Sequence, residues 1–151
     1  MMSITQAMCT SFKVDLFNED QDLLADEIYI ALYTSSANLD ADIEAYTATG
    51  EVLDSAAGYD RPGKVLTGAT VGTANKTASG GTAYVDFNNP EWTGATFTTA
   101  GALIYNKTVY DVDNTKGSIA VLNFGGDFTV TAGTFRIVFP TPGAAGLIRI
   151  D

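Results

Sequence analysis

Beyond residue 63 the chain breaks into short apolar runs that recur about every ten residues, separated by Gly, Asn, Asp or Pro, and this spacing restricts it to a mainly β architecture. The runs cover residues 64–71, 82–87, 91–97, 101–106, 118–124, 128–131, 134–139 and 146–150. Several alternate with a period of two, such as Phe135, Ile137 and Phe139 against Arg136 and Val138. Short alternating strands of this kind predict an antiparallel β-sandwich or barrel, jelly-roll-like in its layers. Thr131-Ala132-Gly133-Thr134 reads as a hairpin turn, because a glycine there is free to take positive φ. Pro140 to Gly146 cannot continue a ladder, since proline lacks the N–H donor.

The N-terminal part follows a different period. Ile4, Met8, Phe12 and Leu16 lie four apart, which places them on one face of a helix spanning residues 1–18. Ser3 or Thr5 supplies a cap, and the polar run from Asn18 to Asp22 a stop. Residues 27–34 then change to period two with both faces apolar, Ile28, Ile30 and Leu32 against Tyr29, Ala31 and Tyr33, as expected of a central strand. Residues 35–63 form a long connection with at most one short strand. The organisation expected is a single domain over 1–151, with the helix followed by a β-sandwich over 27–151.

Composition narrows the function. With 18 acidic and 8 basic residues the formal charge is −10, a sign that repels phosphate backbones and anionic headgroups, so neither nucleic acid nor membrane is an expected partner. No basic region followed by an apolar run opens the chain, and its apolar stretches are far short of the about 20 residues a spanning helix needs. Cys9 is the single cysteine, placed among apolar residues as a small buried hydrophobe, and it excludes an intrachain disulfide.

The chain contains no histidine, which removes the commonest general base, nucleophile activator and nitrogen ligand for zinc. The carboxylates show no setting that pairs an apolar wall with a charged neighbour, so we expect a protein without catalytic activity and without a cofactor. The run Asp111-Val112-Asp113-Asn114 begins like a calcium loop, but Gly117 is misplaced and Leu122 stands where a closing Glu belongs. Asp111 and Asp113 are therefore expected in a turn-rich hairpin loop, not in a metal site. Trp92, Tyr59 and Tyr110 join Ile4, Met8, Phe12 and Leu16 as candidate assembly contacts, because large amphipathic rings serve equally at core edges and at interfaces.

The words Ile4-Thr5-Gln6-Ala7-Met8-Cys9-Thr10-Ser11-Phe12-Lys13, Ile30-Ala31-Leu32-Tyr33-Thr34-Ser35-Ser36-Ala37 and Ala45-Tyr46-Thr47-Ala48-Thr49-Gly50-Glu51-Val52 resemble a family of small virion proteins of tailed bacteriophages. The likeness extends through Thr82 to Phe87, Ala102 to Asn106, Ala120 to Gly125 and the terminal Ile148-Arg149-Ile150. The stretch from Asn106 to Gly117 departs from it, being longer and more acidic. The resemblance implies a non-enzymatic structural protein of the virion, made in the host cytoplasm. The expected role is a capsid decoration (cement) protein, a homo-oligomer, in the favoured form a trimer, seated on the major capsid protein; the alternative is a tail, fibre or baseplate component engaged in host-surface attachment.

Overall fold

The computed structural model describes residues 2–151. Two antiparallel sheets make up a sandwich-like, mainly β fold that does not close into a barrel. In chain order the elements are β1 (Ala7–Met8), α1 (Thr10–Asn18), β2 (Ile28–Tyr33), β3 (Lys64–Val65), β4 (Thr70–Thr77), β5 (Gly80–Asp86), β6 (Glu91–Asn106), α2 (Lys107–Val112), β7 (Ser118–Arg136) and β8 (Ile148–Ile150). The larger sheet has the order β1-β7-β6-β2-β3 and the smaller one β4-β5-β8.

The core is built on β2 and the inner half of β6, where Ile30, Leu32, Leu103 and Ile104 are wholly withdrawn from solvent. Each such side chain contributes roughly 1.5–3 kcal/mol by burial. β2 pairs with β6 from Ile28↔Asn106 to Tyr33↔Gly101 and with β3 on its other edge, and all of its residues but Tyr29 are buried, in keeping with two apolar faces.

The apolar runs at 91–97 and 101–106 are one strand, and those at 118–124 and 128–131 belong to a second, which takes in the run expected at 134–139 only as far as Arg136. What separates them in sequence is bulges. Opposite the single residue Ala100, β7 carries four residues between Asn123 and Phe128, with Gly125 at φ 82°. The expected hairpin at Thr131 to Thr134 is instead a bulge within β7: Val130 faces Phe97 and Gly133 faces Ala95, so Thr131 and Ala132 together oppose Thr96. Ala132 takes φ 46° and its N–H donates to Thr96 Oγ1 at 2.9 Å, so the turn-like conformation is used without reversing the chain.

The N-terminal helix is shorter than its periodicity predicts. It begins at Thr10, with Cys9 as N-cap and no side-chain cap, and ends with Glu19 in the left-handed region. Residues before it are extended: Ile4 bridges Leu39, and Ala7 and Met8 pair with Val121 and Ala120. A spacing of four is a multiple of two as well as close to one helical turn, so Ile4 and Met8 suit a strand face equally well. Pairing with β7 and Leu39 decides between them. A second helical segment, α2, occupies the acidic connection expected to be a turn-rich loop; Asn106 Oδ1 caps it by accepting from Val109 N at 3.0 Å.

Gly63 sits at φ 97°, where a Cβ would lie 2.3 Å from the Ile30 carbonyl oxygen. The backbone leading into β3 therefore lies tight against the edge of β2 beside Ile30 and Ala31. Gly63→Ala is expected to cost at least about 2 kcal/mol from φ strain and steric displacement, read as a lower urea midpoint with an unchanged m-value.

Candidate docking surface

The seven candidate contact residues divide by burial. Phe12, Tyr59 and Trp92 lie in the core, Ile4, Met8 and Tyr110 are half-buried and pack against it, and Leu16 is exposed. Trp92 packs on Phe135 with ring centroids 5.9 Å apart and lies under the Lys64 ammonium, so it anchors the outer half of the β6–β7 ribbon.

Tyr59 belongs to a polar knot. Its hydroxyl donates to Glu51 Oε1 at 2.6 Å and accepts from the backbone N–H of Leu32 at 2.9 Å. Tyr46 donates to Glu51 Oε2 at 2.5 Å, and Arg61 Nε stands 3.4 Å from the same oxygen. Arg61 also donates to the carbonyls of Glu51 and Val52 at 2.7 and 2.9 Å. Tyr46 stacks on Tyr105 at 5.0 Å and meets the edge of Tyr110 at 5.4 Å. Tyr110 thus extends the aromatic stack from α2 and is not an isolated anchor.

Burial pushes the Glu51 carboxyl above its ordinary range, opposed by hydrogen bonds from Tyr46 and Tyr59 and by the Arg61 charge. Burial likewise raises the phenols of Tyr33, Tyr46, Tyr59 and Tyr105, which stay protonated and serve as donors. The Cys9 thiol, fully enclosed, is pushed up to about 12 by burial and is held as an inert thiol. Both oxygens of Glu51 are engaged and its side chain has no solvent exposure, so the knot holds structure together and offers no free group to a substrate.

Asp111 is bound by Lys107 Nζ at 2.6 Å, one helical turn away, and Asp113 receives both the N–H and the hydroxyl of Thr115. The Asp113 carboxyl is held below its usual range by these two bonds. Among the described residues no cluster of three or more acidic, Cys or His side chains is placed to hold a metal ion.

The exposed apolar surface lies elsewhere, where α1 meets β8. Phe17 is 90% exposed, and Leu16 and Ile150 are also open to solvent. With Met8, Lys13 and Arg149 they line an open groove of about 640 Å3. A second groove, of about 330 Å3, adjoins it through Met8 and Arg149 and runs between β1 with β7 on one side and residues 146–149 on the other. Sequence periodicity placed Met8 and Leu16 on one helix face; Met8 instead lies in β1 and Leu16 in α1, and the two meet at this groove without sharing an element. Periodicity missed Phe17, which falls off that face, and Ile150 and Arg149, which arrive from the far end of the chain. No protein-family model, curated protein or solved structure matches this chain.

Two outcomes separate structural from surface roles. Trp92→Ala is expected to lower unfolding free energy by about 3–5 kcal/mol in urea titration, as loss of a buried ring does. For Glu51, a folded-state pKa raised above 4.5 means that the fold favours the protonated form. Its stabilising contribution is complete below about 4.5 and is lost as pH rises through the raised value. The difference in stability between the wild type and Glu51→Gln should therefore shift toward the wild type on acidification from neutrality, measured by urea midpoints at several pH values.

Proposed function

We propose that this chain is a non-enzymatic structural protein of a tailed-phage particle, acting as a capsid decoration protein that docks on the major capsid protein. The observation that carries the docking part is the apolar groove between α1 and β8, where the exposed side chains of Leu16, Phe17 and Ile150 line one groove together. Contiguous exposed apolar surface rimmed by charge marks interaction sites in soluble proteins. The assignment to a particle rests on the sequence resemblance over residues 4–13, 30–37 and 45–52 and the segments that follow. Repetition across a shell makes a modest apolar contact effective, because each copy adds roughly 25 cal/mol per Å2 buried. A homotrimer on the shell surface agrees with this role.

The alternative, a tail, fibre or baseplate component, would use an exposed aromatic for host recognition. Trp92 is 3% exposed and is occupied in the core, which favours the decoration reading over one built on that residue.

Copy number tests the proposal: stained gels of purified virions should show the chain at hundreds of copies per particle, and a count in the tens would overturn the decoration role. Phe17→Glu should abolish rebinding to stripped particles while changing urea stability by no more than about 0.5 kcal/mol, as expected of an exposed position.

A further inference from the structure

The two sheets each end in an outermost strand at the same groove. β1 is the edge of the five-stranded sheet and β8 the edge of the three-stranded one, and the 330 Å3 groove is walled by both. Neither Ala7 and Met8 nor Ile148 to Ile150 makes a backbone hydrogen bond outside its own ladder among the described residues. Unpaired N–H and C=O groups of this kind are a template for an added strand. Proteins commonly protect such edges with lysines, prolines or bulges, and the opposite edge of the small sheet is protected in that way. β4 carries Lys76, and its pairing with β5 slips between Ala74 and Thr77, with Asn75 at φ 52°. β8 is three residues long and carries Arg149, but it has no bulge and no proline, and that arginine lines the groove.

The charge of the groove narrows the occupant. Lys13 and Arg149 are the charged residues lining the apolar groove, two of only eight basic residues in a chain of net charge −10. Lys13 makes no ion pair among the described residues. Arg149 has a loose one, Nε to Asp151 Oδ2 at 3.6 Å with both side chains about half exposed or more, which an incoming carboxylate can displace. The floor beneath them is Met8, Leu16, Phe17 and Ile150. A positive rim above an apolar floor on an otherwise acidic molecule is complementary to an apolar segment that bears negative charge.

We infer that this groove binds an extended segment of a partner protein that adds as a strand along β8, seats apolar side chains on Leu16, Phe17 and Ile150, and places a carboxylate between Lys13 and Arg149. This deepens the docking role proposed above and rests on that reading only for the identity of the partner, not for the chemistry of the groove.

The probe is a random-peptide library panned on the full-length protein. Selected sequences should alternate apolar residues and carry one or two acids. A selected peptide should bind about tenfold more weakly to a Lys13→Glu, Arg149→Glu double variant, and exchanging its acid for lysine should restore binding to that variant. Hydrogen exchange at Ile148 to Ile150 should slow in the complex, which side-chain docking alone would not produce. The neutral Lys13→Gln, Arg149→Gln pair should fall between, and it keeps the test available if the double reversal fails to fold. Failure to enrich acidic apolar sequences, enrichment of basic ones, or binding without protection of β8 would overturn the inference. Self-association that the double variant abolishes would also overturn it, by making a second copy the occupant. A chain abundant in virions but without peptide selection would leave the decoration role standing and remove the strand-addition mode; selected peptides with a chain absent from virions would do the reverse.

Discussion

A carboxylate removed from water must be satisfied on every side, and at Glu51 the groups that satisfy it come from the same connection that carries it. Tyr46, Tyr59 and Arg61 belong to the 30-residue span between β2 and β3, a length at which loops without strands are seldom ordered. Their convergence on one buried charge folds that span back on itself. The same span then closes the outer edge of β2 beyond the short β3. Val52 N donates to Leu32 O, Leu32 N donates to the Tyr59 hydroxyl, and Thr34 N donates to Gly50 O. Removing the charge's partners one at a time would leave an unpaired buried ion, so the knot is cooperative by construction.

With β2 fixed on that side, β6 and β7 set the remaining shape. Their ladder is continuous over Glu91–Asn106 and Ser118–Arg136, but bulges bend it and make its register unambiguous. The inner half carries the core and the outer half is held by Trp92, Phe97 and Phe135. Because β7 is left without a full-length outer neighbour, the N-terminal residues take up part of its edge as β1, which shortens α1 and leaves its last turn, with Leu16 and Phe17, beside β8. The exposed groove is thus a by-product of how the chain resolves competing demands on the β7 edge.

The sequence made the fold class legible because period-two runs such as Ile28 to Tyr33 report strands whatever their partners are. It was less informative where one local signal served two structures. Ile4 and Met8 satisfy both helix and strand periods, and only the long-range partners Leu39 and Val121 select the strand. Ala132-Gly133 signals positive φ but not whether that φ turns the chain or bulges it, which depends on Thr96 opposite. The apolar groove joins residues 8–17 to residues 149–150, and no local pattern encodes such a juxtaposition. Glu51 was hidden for a similar reason: in sequence it is one acid among eighteen, and its burial is set by tyrosines and an arginine that look like ordinary loop residues.

The two edges of the small sheet are unlike, and this asymmetry bears on how far the sheet could be extended. A sheet open at both ends propagates, each added strand presenting a fresh edge to the next molecule, and the outcome is a fibre. Here the bulge and Lys76 on β4 terminate growth at one end, and β8 alone remains receptive. If a partner strand adds along β8, the small sheet has no second open edge through which to pass the growth on, which favours bounded complexes over polymers.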